Sequence, residues 1–413
     1  MIKKINSSKY ELLAPAGNFE MLTTAINAGA DAVYFGLKEF SMRANARNFT
    51  IKDLNKIEKI CKPKNIKRYL TLNVIIYNSE LKKIEKIIKK IKNKVDAIIC
   101  WDLSVIELCR KYKIPFHIST QASVANIQSA KFYKNLGAER IVLARELNLK
   151  QIKQISKIVD VETFIHGAMC VAVSGRCFMS QILFNKSANR GQCIHPCRRS
   201  YLIKDLQEGY ELKLENNKVM SAKDLCTLPF IEKLKKAGII SFKIEGRNRD
   251  PRYVDVVVRA YRKALDNKLP KRFAIKGTLN SATKTEIKES LEELKKVYNR
   301  KFSTGFYLGF PTADDFTDVE HSAATEKKHF IGKIQHYYPK ISVGTIKLVS
   351  GLKVGDNVVI IGKTTGIEKL KVNKIEIKGK SVSKAKKTQD IAIKVPSKVR
   401  KNDQVYLIKD SKN

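Results

Sequence analysis

The residues best suited to chemistry in this chain are its cysteines, and five of the eight (Cys170, Cys177, Cys193, Cys197 and Cys226) fall in one stretch. The chain starts without an apolar signal region, which predicts a cytoplasmic protein. In that setting clustered thiols are read as metal-binding or catalytic before they are read as disulfides. Six residues separate Cys170 from Cys177 and fifteen separate Cys177 from Cys193, so only Cys193 and Cys197 stand at a zinc-knuckle gap. Thiolates gathered from separate loops fit a cubane iron–sulfur cluster better, with zinc as the alternative. Five thiols compete for four places, and spacing alone does not choose among them.

The elements that position these thiols follow a regular alternation. Short apolar runs at 10–14, 31–35, 69–74, 96–100, 115–119, 140–143, 161–166 and 240–244 read as strands, and the first seven are separated by segments of helical periodicity such as 19–28 and 80–92. Gly29 and Gly137 stand where helices must close. Eight strands in alternation with helices, and no glycine-rich phosphate fingerprint, predict an α/β fold: a (β/α)8 TIM-like barrel rather than an open doubly wound sheet. About seventy residues separate the seventh and eighth runs, far more than a usual connection, so the cysteine-rich segment 167–239 is an insertion on the barrel's functional face.

Barrel active sites are built just past the C-terminal ends of the strands. Those positions hold Asn73, Asp102, Thr120 with Gln121, Arg145 with Glu146, His166, and Glu245 with Arg247. This ring of polar groups predicts a ligand pocket. His166 titrates in the range needed for acid–base work, although a lone histidine is more commonly a structural hydrogen-bonder. With it, Glu245 and Arg145 form the candidate catalytic set. Arg43, Arg47, Asn73, Gln121, Arg190 and Arg247 are the candidate substrate-binding residues, with the arginines suited to phosphates or to a carboxylate-bearing co-substrate.

Eighty Lys and Arg face forty Asp and Glu, a formal net charge of +40. Such a field attracts polyanions, and RNA is the favoured partner. No apolar run is long enough to span a bilayer, so no membrane role is expected. The barrel is assigned to residues 1–270, a helical connecting segment to 271–329, and a small C-terminal β-barrel to 330–413, where 19 Lys and Arg outnumber six Asp and Glu. That basic module suits a polyanion, or is a packing domain with a charged skin.

Several segments resemble the collagenase-like peptidase family U32. They include Glu11-Leu-Leu-Ala-Pro-Ala-Gly17, Ala28-Gly-Ala-Asp-Ala-Val-Tyr-Phe-Gly36, Glu162-Thr-Phe-Ile-His-Gly-Ala-Met-Cys170, Ser174-Gly-Arg-Cys177, Ser221-Ala-Lys-Asp-Leu-Cys226 and Phe242-Lys-Ile-Glu-Gly-Arg247. The resemblance covers roughly residues 9–310. It implies a [4Fe-4S] cluster on Cys170, Cys177, Cys193 and Cys226, with Cys197 as the alternate ligand. It also implies one of several activities: collagenase-like proteolysis, 5-hydroxylation of the tRNA wobble uridine linked to prephenate and independent of oxygen, hydroxylation of a ribosomal RNA cytidine, or hydroxylation of a quinone precursor. A related U32-type partner chain is a further implication. The chain lacks a His-Glu-x-x-His motif, a Gly-x-Ser-x-Gly elbow and an Asp-Thr/Ser-Gly pair. That argues against a peptidase, and the chain length and single basic C-terminal domain resemble the tRNA group of the family, so the resemblance implies a tRNA hydroxylase.

Overall fold

The computed structural model describes residues 10–199, 201, 204–210, 220–266, 281–319 and 321–411. Seven parallel strands run in order: β1 (Glu11–Pro15), β2 (Ala32–Gly36), β3 (Lys67–Thr71), β4 (Ala97–Cys100), β5 (Phe116–Ile118), β6 (Arg140–Val142) and β7 (Asp160–Gly167). The short β8 (Asp224–Cys226) follows, then β9 (Ser241–Ile244). β9 pairs in parallel with both β7 and β1 and so closes an eight-stranded barrel. The expected barrel is thus present, each strand lying within a few residues of its apolar run.

Helices α1 (Phe19–Asn27), α2 (Leu54–Cys61), α3 (Leu81–Ile91), α4 (Leu103–Tyr112), α5 (Ile127–Asn135) and α6 (Leu149–Ile155) alternate with the strands. α3 shows why they form: Ile84, Ile87, Ile88 and Ile91 fall on one buried face, and lysines occupy the other. Asn18 caps α1 by accepting a hydrogen bond from the Met21 N–H, and Gly29 follows the helix at φ +101°. The insertion leaves β7, carries the short α7 (Met179–Phe184), and returns through β8 and α8 (Ile231–Lys236) to β9. β8 lies antiparallel to the end of β7, pairing Cys226 with His166, and takes β10 (Phe302–Ser303) as its other neighbour. α9 (Pro251–Asp266) and α10 (Ser281–Lys295) complete the helical layer; residues 271–280 and 320 of the helical connecting segment expected over 271–329 lie outside the described residues.

The floor of the barrel interior is ionic. Fully buried Glu162 accepts from Lys243 Nζ at 2.7 Å, Ser241 Oγ at 3.1 Å and Arg140 Nη1 at 3.3 Å. Glu11 accepts from the Tyr69 hydroxyl at 2.7 Å and from Ser241 at 2.9 Å, and it also pairs with Arg140. Two carboxylates against two cations leave no net charge, the condition under which buried ions are tolerated.

The C-terminal unit is an eight-stranded antiparallel sheet around its own core of Ile331, Ile334, Ile346, Ile360, Ile391 and Val405. Its long strand Glu326–Tyr338 pairs with Val343–Leu348 and Gln404–Asp410. The outermost strands, Gly366–Lys371 and Lys380–Val382, do not pair with each other among the described residues, so the small barrel expected here is an unclosed sheet. The sheet is seated on the barrel. Thr23 Oγ1 donates to the Lys363 carbonyl at 2.7 Å, Lys369 reaches buried Asp255 at 2.6 Å, and Lys328 reaches Asp250 at 2.7 Å. Gly366 lies against α1, where a Cβ would come within 3.2 Å of Thr23 and Thr24.

Candidate active site at the barrel mouth

A cavity of about 40 Å³ opens at the C-terminal ends of the strands, and six of the candidate residues line it: Arg43, Asn73, Gln121, Arg145, Glu245 and Arg247. Gly36 makes room for the last of these, because a Cβ there would strike the Arg247 guanidinium and Ser41. Arg247 donates to Thr71 Oγ1 at 2.8 Å. Arg145 donates to the Ala168 carbonyl at 2.9 Å and stacks on Phe164 at 4.0 Å, while its buried Nε has no partner among the described residues. Arg43 closes the rim through two contacts of 3.1 Å to Glu245 Oε1.

Three guanidinium groups therefore face one carboxylate, and the electrostatics follow. Burial pushes the Glu245 carboxyl up, but Arg43, Arg145 and Arg247 outweigh it and hold the group down at about 2. Burial lowers Arg145, and burial together with the Arg43 charge draws Arg247 down to about 10. Cys170 is among the groups that act on both Arg43 and Arg145, so the start of the insertion borders the mouth. The insertion is held there by hydrogen bonds. Gln121 Nε2 donates to the Ser174 carbonyl at 3.3 Å, Arg176 donates to the Gln121 carbonyl at 3.2 Å, and Asn45 Nδ2 donates to the Cys193 carbonyl at 3.2 Å.

Three candidates lie elsewhere. His166 is not in the cavity. The β7–β9 register shifts between Phe164 and His166, and the imidazole packs among Tyr253, Tyr261 and Phe302 instead of following Phe164 inward. Burial drives it down to about 3, so it stays neutral and is corrected here to a wall residue. Arg190 is likewise a structural clamp: it bridges to both carboxylate oxygens of Glu80 and donates to the Ile75 carbonyl. Arg47 is exposed and lines the larger groove beside the cavity, not the cavity itself.

The thiols divide unevenly. Cys170, Cys177, Cys193 and Cys197 are half-buried. Burial pushes the Cys197 thiol up to about 11, with Cys170, Cys193 and Cys177 among the charges that act on it. Cys226 is buried beside Tyr261, whose hydroxyl lies 3.8 Å from its sulfur, and none of the other four thiols is among the charges acting on it. Cys197 and Cys226 are the two candidates for the fourth place beside Cys170, Cys177 and Cys193. Cys177 and Cys193 each accept a backbone N–H from two residues on, Met179 and His195, both at 3.4 Å. Such N–H···S bonds favour a thiolate, so this donor set fits an iron–sulfur cluster in kind. Among the described residues no three potential ligands are drawn together closely enough to hold an ion.

Sequence reasoning missed Ser174 and Lys243 in the cavity wall. Lys243 carried a signal, being a lone cation in an apolar strand.

Comparison with known proteins decides the lineage. The model of peptidase family U32 matches residues 17–317. The chain belongs to peptidase family U32. Its relatives in that family carry different names. A protein named collagenase from Porphyromonas gingivalis is 40% identical over 97% of this chain and 98% of its own length. The tRNA hydroxylation protein P1 of Bacillus subtilis is 36% identical over 87% of this chain and 85% of its own. A 23S rRNA 5-hydroxycytidine synthase of Escherichia coli is 40% identical over 63% of this chain but only 40% of its own length. Relatives of this family are thus named for RNA hydroxylation and for proteolysis. No helix among the described residues is long and apolar enough to cross a membrane.

Proposed function

We propose that this chain is a cytoplasmic iron–sulfur enzyme that hydroxylates tRNA at C5 of the wobble uridine, in a prephenate-linked and oxygen-independent manner. The observation that carries the reading is the uncompensated charge of the mouth: Arg43, Arg145 and Arg247 against Glu245 alone. Prephenate bears two carboxylates, matching the two positive charges left over. Arg145, with its unpartnered Nε, and Arg247 would hold the carboxylates, since planar guanidinium groups pair with them bidentately. Asn73 and Gln121 supply amides on the wall for the edge of a nucleobase. A cavity of about 40 Å³ does not admit a base as it stands. Arg43, with 27% of its side chain exposed, is the rim residue that must swing off Glu245 to let one in.

Cys170, Cys177 and Cys193 would hold the cluster, with Cys226 as the fourth ligand by resemblance and Cys197 as the alternate. A bound cluster supplies electron transfer or an open iron beside the arginines. Two of the relatives, one named for tRNA hydroxylation and one for rRNA hydroxycytidine synthesis, lend the RNA reading support. Proteolysis finds less: the cavity lining offers the hydroxyls of Tyr34, Thr71, Ser119, Thr120 and Ser174 but no histidine, and the Nδ1 of His166 faces the Tyr261 hydroxyl at 3.4 Å.

The test is to digest tRNA and ribosomal RNA from cells with and without the chain and compare nucleosides by mass spectrometry. Loss of 5-hydroxyuridine derivatives from tRNA, restored by the wild type but not by Cys193→Ala, is the expected result. Loss confined to a hydroxycytidine would move the target to the ribosome. Unchanged RNA, with paralogues deleted, would overturn the RNA reading.

A further inference from the structure

We infer that the groove between the barrel mouth and the C-terminal sheet is the path of the single-stranded RNA flanking the nucleotide under modification, with its phosphates taken by Arg47, Arg249, Lys363 and Lys401. This rests on the RNA reading above and adds the surface that holds the strand. The groove measures about 770 Å³ against about 40 Å³ for the mouth, so the mouth can take one group and the groove can take a chain. Arg247 lines both, so the two are continuous.

The walls come from different units. Arg47 and Arg249 belong to barrel loops, while Lys363 and Lys401 belong to turns of the sheet. Arg47, Lys363 and Lys401 are exposed, and among the described residues none of them pairs with a carboxylate. Two of the groove's acids are satisfied within the protein. Asp250 pairs with Lys328 at 2.7 Å, and Asp403 accepts from Thr365 Oγ1 at 2.5 Å and from the Arg400 N–H at 2.8 Å. Glu20 is the remaining acid, so the groove is left with a surplus of cations that answers a phosphate backbone. A base reacting in the mouth must be unstacked, so its neighbours run through single-stranded geometry. The Thr23–Lys363 hydrogen bond and the seat of Gly366 on α1 fix one wall against the other, so the cationic positions keep their spacing.

The test measures binding of the full-length holoenzyme to a fluorescein-labelled tRNA anticodon stem–loop by anisotropy across a salt series. The triple variant Arg47→Ala, Lys363→Ala, Lys401→Ala is compared with Lys380→Ala, Lys384→Ala, Lys387→Ala, which removes the same charge away from the groove, Lys380 lying on the sheet's opposite edge strand. Each lost phosphate contact flattens the plot of log K against log salt by about 0.7, so the groove variant should lose about 2 from the slope. The control should keep the wild-type slope, and matching circular dichroism confirms that both variants are folded. Equal slopes for the two variants, with the wild type binding, overturn the groove while leaving RNA as substrate. A wild type that fails to bind the stem–loop overturns both.

Discussion

Replacing Arg247 by Met should make the ligand-free protein more stable while removing its affinity for a dicarboxylate. Arg247 is 3% exposed, and burial is the main force drawing its guanidinium from 12.5 to about 10. A base whose folded-state pKa lies below its unfolded value costs stability at every pH below the folded value, so at pH 7 the cost is present in full. The gap corresponds to about 3 kcal/mol. Methionine forfeits the 2.8 Å hydrogen bond to Thr71, worth about 1.5 kcal/mol, which leaves a net gain of about 1.5 kcal/mol. For a barrel of this size that is a rise of about 2 °C in Tm. Urea denaturation at pH 7, with and without prephenate, reads both halves. At about a hundredfold excess over Kd the ligand should stabilise the wild type by about 2.7 kcal/mol and the variant far less, so the order of stabilities reverses. An Arg247→Met protein less stable than the wild type without ligand would refute the claim that this charge is held at a cost for anion binding.

Other substitutions separate chemistry from scaffolding. Lys243→Met leaves Glu162 fully buried with its 2.7 Å partner gone, and should cost about 3–5 kcal/mol by urea denaturation. Arg190→Ala should cost about 1–3 kcal/mol through loss of the Glu80 clamp yet leave stem–loop affinity unchanged; weakened binding with intact folding would restore it as an RNA ligand. The Glu245 carboxyl, held at about 2, lies below its ordinary 4.5. The stability it contributes is therefore complete above about pH 4.5 and lost as pH falls towards 2. Glu245→Gln should flatten the decline in stability across that window, and an unchanged acid limb would count against the arginine cage. Cys226→Ala should lower iron per chain, whereas Cys197→Ala should retain it; the reverse pattern would assign the fourth place to Cys197.

Much of this architecture was legible in the chain because it depends on local pattern. Eight apolar runs separated by helical periodicity leave few alternatives to a barrel, and polar residues just past those runs meet at its mouth, as Arg145, Glu245 and Arg247 do. What escaped depends on distant partners. Arg190 reads as a free cation until Glu80, 110 positions away, is seen beneath it. His166 follows Phe164 by two residues and by alternation should face inward, but a register shift that no composition signals turns it to the aromatic wall. The ionic floor of Glu11, Arg140, Glu162 and Lys243 was hidden because one charged residue per strand looks accidental until four strands are brought together.

The place where the barrel closes has a consequence for how such proteins diversify. β7 and β9 are hydrogen-bonded neighbours, about 4.8 Å apart, so the cysteine-bearing excursion leaves one strand at the mouth and the chain rejoins the sheet on the adjacent strand, at its opposite end. Its length and content can change without altering the circumference of the scaffold, and its folding does not set the strand count or tilt. The clustered thiols ride on this excursion, while Arg43, Arg145, Glu245 and Arg247 come from the barrel's own strands and loops. A scaffold built this way leaves the branch room to vary while the barrel is kept, in a family whose members bear the names of both a collagenase and an RNA hydroxylation protein.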